Sequence, residues 1–157
     1  MRTPFVALFV FAVSVLSACV ETETIQGKAS VIDGDTIDIH NTRIRLHGID
    51  APESSQRCLN ESDQNYRCGR DAAFALDDLI GNKVVSCVER DVDRYGRTIA
   101  VCYVDDTDLN EYLVRAGLAV AYRQYSNDYV SAEREAHSAR RGLWRGQFDM
   151  PWDWRRN

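Results

Sequence analysis

The sequence predicts a β-rich α+β fold: a five-stranded OB-type barrel with one helix between strands three and four and two C-terminal helices. Three observations predict it. Three strand-like stretches come first, a run with helical spacing follows, and two more strand-like arms then straddle an Asp-Arg-Tyr-Gly turn ahead of further helical segments. The 157 residues allow one domain. A formal net charge of -5 excludes a generally basic nucleic-acid coat, so binding a polyanion requires a local patch or a metal. With a screening length of roughly 8 Å at physiological salt, the local field outweighs the total.

The N-terminus reads as an export address. Arg2 precedes an apolar run, Phe5 to Leu16, broken only by Ser14, and Ser17 and Ala18 then lead to Cys19. The run is short of the roughly 20 residues that span a bilayer. Leu16-Ser17-Ala18-Cys19 resembles a bacterial lipoprotein box, in which Cys19 is lipidated and becomes the new N-terminus. Plain secretion after cleavage near Ala18 is the alternative. A diacylated and N-acylated cysteine carries the multiple chains that stable membrane anchoring needs. Val20 follows, so the acidic second residue that resembles an inner-membrane retention signal is absent, and the expected location is the periplasm or cell envelope, at the outer membrane. The expected organisation is a signal peptide over 1–18, a tether over 19–25, a folded domain over 26–148 and a C-terminal tail over 149–157. Removing 1–18 takes away one base and no acid, leaving 18 basic against 24 acidic residues, or -6.

Strands are expected over Gln26–Ile32, Thr36–His40 and Arg43–Ile49, the third alternating Arg43, Arg45 and His47 against Ile44 and Leu46. Pro52 to Arg67 is polar and reads as a long loop. Ala72, Ala75, Leu76, Leu79 and Ile80 share a helical face over Gly69–Ile80. Lys83–Arg90 and Thr98–Tyr103 form a hairpin. Asp108-Leu109-Asn110-Glu111 resembles a capping box, opening a helix with Leu109, Tyr112, Leu113 and Ala116 inward and Gly117 as its stop. Tyr129, Ala132, Ala136 and Ala139 mark the last helix. Six arginines between Arg134 and Arg156, partly balanced by nearby acids, read as a solvated face.

Apart from Cys19, Cys58, Cys68, Cys87 and Cys102 remain, an even number that reads as two disulfides in an exported chain. Folding the hairpin about the Arg94–Tyr95 bond sets Cys87 opposite Cys102, which leaves Cys58–Cys68 to close a local loop. No C-x-x-C pair supports zinc instead.

Two clusters carry chemistry. The first is Val31-Ile32-Asp33-Gly34-Asp35-Thr36 followed by Arg45-Leu46-His47-Gly48-Ile49-Asp50-Ala51-Pro52-Glu53, and the second is Asp93-Arg94-Tyr95-Gly96-Arg97. Asp-Gly turns have ordinary backbone uses. Three acids and two arginines at loop boundaries exceed what turns require.

In these motifs, in their order and spacing, the chain from about Gln26 to Trp144 resembles the staphylococcal nuclease (thermonuclease) family of calcium-dependent nucleases. The resemblance implies hydrolysis of DNA and RNA phosphodiesters to a 3′-phosphate and a 5′-hydroxyl. It implies one Ca²⁺ held by the carboxylates of Asp35 and Asp50 and the backbone carbonyl of Ala51, where the best-known member has Thr. Glu53 takes the role of general base or orienting group for the attacking water, and Arg45 and Arg97 offer guanidinium forks to phosphate oxygens. Tyr95 and Tyr122 match aromatic positions near the bound nucleotide, while Thr36 is placed to hydrogen-bond beside the metal turn. The expected form is a monomer with no obligate protein partner. The rival is a catalytically weak OB-fold nucleic-acid-binding envelope lipoprotein, which the complete acid–arginine set disfavours.

Overall fold

The computed structural model describes residues 23–156. Cys19 and the export segment lie outside the described residues. The first strand runs as β1 (Thr24–Gly27) and β2 (Ala29–Asp33), separated by Lys28 alone. β3 (Thr36–Ile39) and β4 (Thr42–Leu46) complete a meander with Ile37, Ile39, Ile44 and Leu46 turned inward and nearly inaccessible. The expected third strand is divided. Gly48 adopts φ 71°, a conformation that favours glycine, and breaks the ladder so that β5 (Ile49–Asp50) leaves the main sheet.

The polar loop is more ordered than expected. It contains a small hairpin, β6 (Cys58–Leu59) against β7 (Asn65–Tyr66), before α1 (Cys68–Ile80). This helix buries Cys68, Ala72, Leu76 and Ile80 at i, i+4 spacing, the stripe that faces a core. β8 (Val85–Val92) and β9 (Thr98–Val104) form the second hairpin with Cys87 opposite Cys102, as the turn geometry predicts. The pairing shifts by one residue at a bulge between Glu89 and Asp91, which lengthens the β8 arm beyond the expected Arg90.

The main sheet has the order β1-β8-β9-β4-β3-β2, with β4 and β9 parallel and the other pairs antiparallel. Its two ends are halves of one run of chain, so the sheet curls back towards itself as an OB-type barrel. β10 (Thr107–Asp108) adds to β9 and leads into α2 (Leu109–Arg115). Asp108 caps α2 by accepting the Glu111 N–H at 2.9 Å, as expected, while the Glu111 carboxylate turns to Arg115 at 2.5 Å.

The inward face of α2 differs from the expectation. Tyr112 is exposed and Asn110 is fully buried, because Asn110 carries polar bonds that a core residue there would leave unmade. Its amide accepts the Cys102 N–H at 3.1 Å and donates to the His47 carbonyl at 2.9 Å, tying β9 to the exit of β4. β11 (Val120–Ala121) pairs with β5, and α3 (Val130–Ser138) buries Ala132, Glu133 and Ala136. Ala139, expected on that face, lies past the helix end and is exposed. A 3-10 turn, Gly142–Arg145, and a short α4 (Pro151–Trp154) finish the chain. A second apolar cluster gathers Cys58, Cys68, Val120 and Leu143 with Trp144, Phe148, Met150 and Trp152.

Both disulfides, Cys58–Cys68 and Cys87–Cys102, are formed, which fits an oxidising, exported location. Among the described residues no helix is long and apolar enough to cross a membrane. The links close loops with sequence separations of 10 and 15 residues, and chain entropy assigns each about 3 kcal/mol. Replacing Cys58 and Cys68 together by serine should therefore lower unfolding free energy by about 2–3 kcal/mol in a urea titration. An unchanged midpoint would show that this link adds no stability.

Candidate active site

Asp35 immediately precedes β3, in the turn where the Asp33 side chain accepts the Asp35 N–H at 3.1 Å. The Asp35 carboxylate points into the protein and is almost fully buried. Its Oδ2 accepts the Ala51 N–H at 2.8 Å, and its Oδ1 accepts the Thr36 hydroxyl at 3.1 Å and Arg45 Nη1 at 2.9 Å. Arg45 arrives there because the β3–β4 ladder sets it opposite Thr36. Its other nitrogen, Nη2, donates to Asp50 Oδ1 at 2.7 Å. One guanidinium thus joins the two carboxylates.

Asp50 has no accessible surface. It is fixed by the β5–β11 ladder, in which it faces Val120, and β11 is itself held by buried Glu133, whose carboxylate accepts the Ala121 N–H at 2.9 Å. Ionised carboxylates this deep are costly to desolvate. Burial pushes the Asp35 carboxyl up to about 7 against the pull of Arg45, and the charges of Asp33 and Asp50 push the same way. Asp35 is therefore left with less positive charge than its burial demands.

Glu53 follows two residues after Ala51 and keeps a third of its side chain in solvent. Its loop is clamped from two sides. Gln56, fully buried, donates its N–H to the Glu53 carbonyl at 2.7 Å and accepts the Glu53 N–H on Oε1 at 3.2 Å. On the other side lies Gly69, the second residue of α1, and a Cβ there would stand 1.7 Å from the Glu53 carbonyl oxygen. Only glycine allows this approach.

Arg97 is organised within its own turn. Asp93 accepts the N–H groups of Tyr95 and Arg97 at 2.9 and 3.0 Å and the Arg97 Nε at 2.7 Å. The parallel β4–β9 pairing places Ile99, two residues after Arg97, beside Arg45. Tyr95 is 69% exposed, with the guanidiniums of Arg94 and Arg97 at 4.8 and 5.6 Å from its ring centre. Tyr122 follows β11 and stacks on Trp152, ring centres 5.2 Å apart and planes 7° from parallel.

The structure thus brings Asp35, Arg45, Asp50 and Ala51 into direct contact, with Glu53 beside them, while Arg97 stays with Asp93. It adds a residue that the sequence reading had placed on a solvated face. Arg155, just past α4, donates Nη1 to Asp50 Oδ1 at 3.0 Å and to Glu53 Oε1 at 2.7 Å, and Nη2 to Asp50 Oδ2 at 2.7 Å. Separations of 105 and 102 residues leave no local pattern by which these partners could be found. Gln56, three positions after Glu53 in a polar stretch, carried no stronger signal. Among the described residues, no three His, Cys, Asp or Glu side chains converge as a self-sufficient metal site. The protein offers Asp35, Asp50 and the Ala51 carbonyl, all hard oxygen donors.

Residues 43–146 match the family model described as staphylococcal nuclease homologue. A succinoglycan biosynthesis protein, ExoI, of Rhizobium meliloti (strain 1021) is 43% identical over 80% of this chain and 67% of its own. An uncharacterized endonuclease of Escherichia coli O157:H7 is 36% identical over 94% of this chain and 93% of its own. A micrococcal nuclease of Shigella flexneri is 37% identical over 80% of this chain and 77% of its own. With the OB-type barrel and the buried acid–arginine cluster, these similarities establish that the chain belongs to the staphylococcal nuclease homologue family.

Proposed function

We propose that this chain is an exported, calcium-dependent nuclease that hydrolyses phosphodiester bonds in DNA and RNA, leaving a 3′-phosphate and a 5′-hydroxyl. The observation that carries the reading is the pair of buried carboxylates, Asp35 and Asp50, joined by Arg45 and flanked by Glu53. Two adjacent carboxylates and a backbone carbonyl are hard oxygen donors that suit a dication, with Asp35, Asp50 and the Ala51 carbonyl as its protein ligands. Such an ion, when bound, polarises the scissile phosphate and neutralises charge developing on it. So few protein ligands imply half-saturation by Ca²⁺ in roughly the submillimolar to millimolar range.

The chain's own residues divide the remaining work. Glu53, partly in solvent, accepts a proton from the attacking water. Arg45 already lies against both acids through Nη1 and Nη2, and an N–H left over on its guanidinium is offered to a non-bridging phosphate oxygen. Arg97 leaves Asp93, an ion pair on a turn, to meet another such oxygen as charge builds in the transition state. Tyr95 and Tyr122 supply faces on which bases stack without sequence preference.

In this reading residues 1–18 are a lipoprotein signal, Cys19 carries the lipid, 19–25 tether the nuclease domain 26–148 to the outer membrane, and 149–157 follow as a C-terminal segment. Cys19→Ser should shift the protein out of the membrane fraction or block its processing. Fractionation and migration identical to the parent would leave simple secretion.

Glu53→Gln keeps the side-chain volume and removes the base, and Arg97→Lys keeps the charge and removes the fork. Both should fold and bind Ca²⁺, yet hydrolyse single-stranded DNA more slowly by on the order of 10²-fold or more. Asp35→Asn should instead raise the Ca²⁺ concentration required, so that added calcium recovers part of the rate. Turnover measured across a calcium titration separates these cases. Parental rates in Glu53→Gln and Arg97→Lys, or full turnover in chelator, would overturn the assignment.

A further inference from the structure

We propose that Arg155 is a cation-competing, substrate-binding residue of this site: it holds Asp50 and Glu53 in the free protein and moves to a substrate phosphate when a cation binds the carboxylates. The inference rests on the calcium-nuclease reading and adds to it a residue from the C-terminal segment.

The first support is geometric. Arg155 is bonded to both oxygens of a carboxylate that has no accessible surface, and one of its nitrogens also reaches Glu53. Asp50 Oδ1 already receives Arg45, so three guanidinium bonds occupy its two oxygens. A dication ligated by Asp50 competes with this set for the same two oxygens and repels both guanidiniums. Arg45 is the poorer candidate to leave, because it also holds buried Asp35 and has 18% of its side chain exposed. Arg155 is exposed to 34% and sits at the end of a four-residue helix, where side-chain rotation suffices to free it.

The second support is that the segment is built to hold Arg155 here. Gln56, the residue that clamps Glu53, donates its Nε2 to the Asp149 carbonyl at 2.8 Å. Leu59 and Gln147 exchange backbone hydrogen bonds at 2.8 and 3.1 Å, and Trp152 stacks on Tyr122. These anchors fix the backbone of 147–152 and leave the Arg155 side chain as the part able to change partners.

The third support is charge. With the carboxyls ionised, as cation ligation requires, Asp35, Asp50 and Glu53 against Arg45 and Arg155 leave one negative charge in the contact cluster. Adding a dication turns this into one positive charge, which a single phosphodiester neutralises. Arg155 also borders an open pocket of about 520 Å³ that includes Tyr122, Arg123, Trp152 and Arg156, so a displaced guanidinium fork faces a space suited to a polyanion's phosphate.

Calcium titrated calorimetrically into the folded protein, without nucleic acid, tests this directly. Arg155→Gln should bind Ca²⁺ more tightly than the parent, on the order of tenfold, because a charge-assisted competitor is gone. Arg155→Lys, which keeps a charge and loses the fork, should fall between them. In single-stranded DNA hydrolysis at saturating Ca²⁺, Arg155→Gln should raise KM by more than it lowers kcat. A merely structural role would lower thermal stability without tightening Ca²⁺ binding. Unchanged or weaker Ca²⁺ binding by Arg155→Gln overturns this inference and leaves the calcium reading standing. No Ca²⁺ binding by the parent overturns both.

Discussion

Two carboxylates, Asp35 and Asp50, must remain side by side in the protein interior, and much of the architecture around them meets that demand. Removing a charged group from water costs several kcal/mol even after relaxation, and breaking a buried pair by deleting one partner costs about 3–5 kcal/mol. The arrangement is tolerable because Arg45 bonds both acids and the Ala51 N–H bonds the first. Each contact requires a different piece of the fold. The β3–β4 register delivers Arg45, the divided strand at Gly48 delivers Asp50, and the chain leaving β5 turns the Ala51 amide towards Asp35.

The fold's remaining polar interior serves the same end from further out. Glu133 on α3 accepts the Ala121 N–H and so steadies β11, the strand that pairs with Asp50. Asn110 on α2 bonds the carbonyl of His47, next to the Gly48 turn. Gln56 and Gly69 confine the backbone of Glu53 between a buried amide and the start of α1. A buried polar side chain is kept when it satisfies backbone groups that otherwise go unpaired, and here those backbone groups lie within a few residues of the acids. An apolar core alone would support the barrel, but it would leave the loop ends free to drift.

The sequence was informative where chemistry and periodicity are local. The β3–β4 meander, α1 and the cross-strand pairing of Cys87 with Cys102 follow from alternation, i, i+4 spacing and turn geometry within short windows. Asp35, Arg45 and Asp50 stood out because acids and arginines crowd two loop boundaries, and the structure joins them. Features set by distant partners were not legible. Tyr112 looks like a better core residue than Asn110 until the His47 carbonyl and Cys102 N–H are seen waiting for an amide. Arg155 is one arginine among six near the C-terminus, and nothing nearby distinguishes it from those in solvent. The bulge in β8 likewise depends on how the hairpin closes onto the barrel, which composition does not encode.

A division of labour emerges from how each charged group is held. Arg45 is bonded to two buried carboxylates, so withdrawing it would strand both charges and its place is effectively permanent. Arg97 is paired on a solvent-facing turn with Asp93, and Arg155 reaches its acids from a half-exposed position after α4. Each of these arginines keeps part of its side chain in solvent, so it can exchange one anionic partner for another by side-chain rotation, provided a cation takes its place against the carboxylate it leaves. Groups that define the cation's position therefore belong in the barrel, where rigidity is worth its desolvation cost. Groups that must follow a phosphate through a changing charge distribution belong on turns and chain ends, where they can let go. The placement of Asp35, Arg45 and Asp50 inside, with Glu53, Arg97 and Arg155 around the rim, follows that physical distinction.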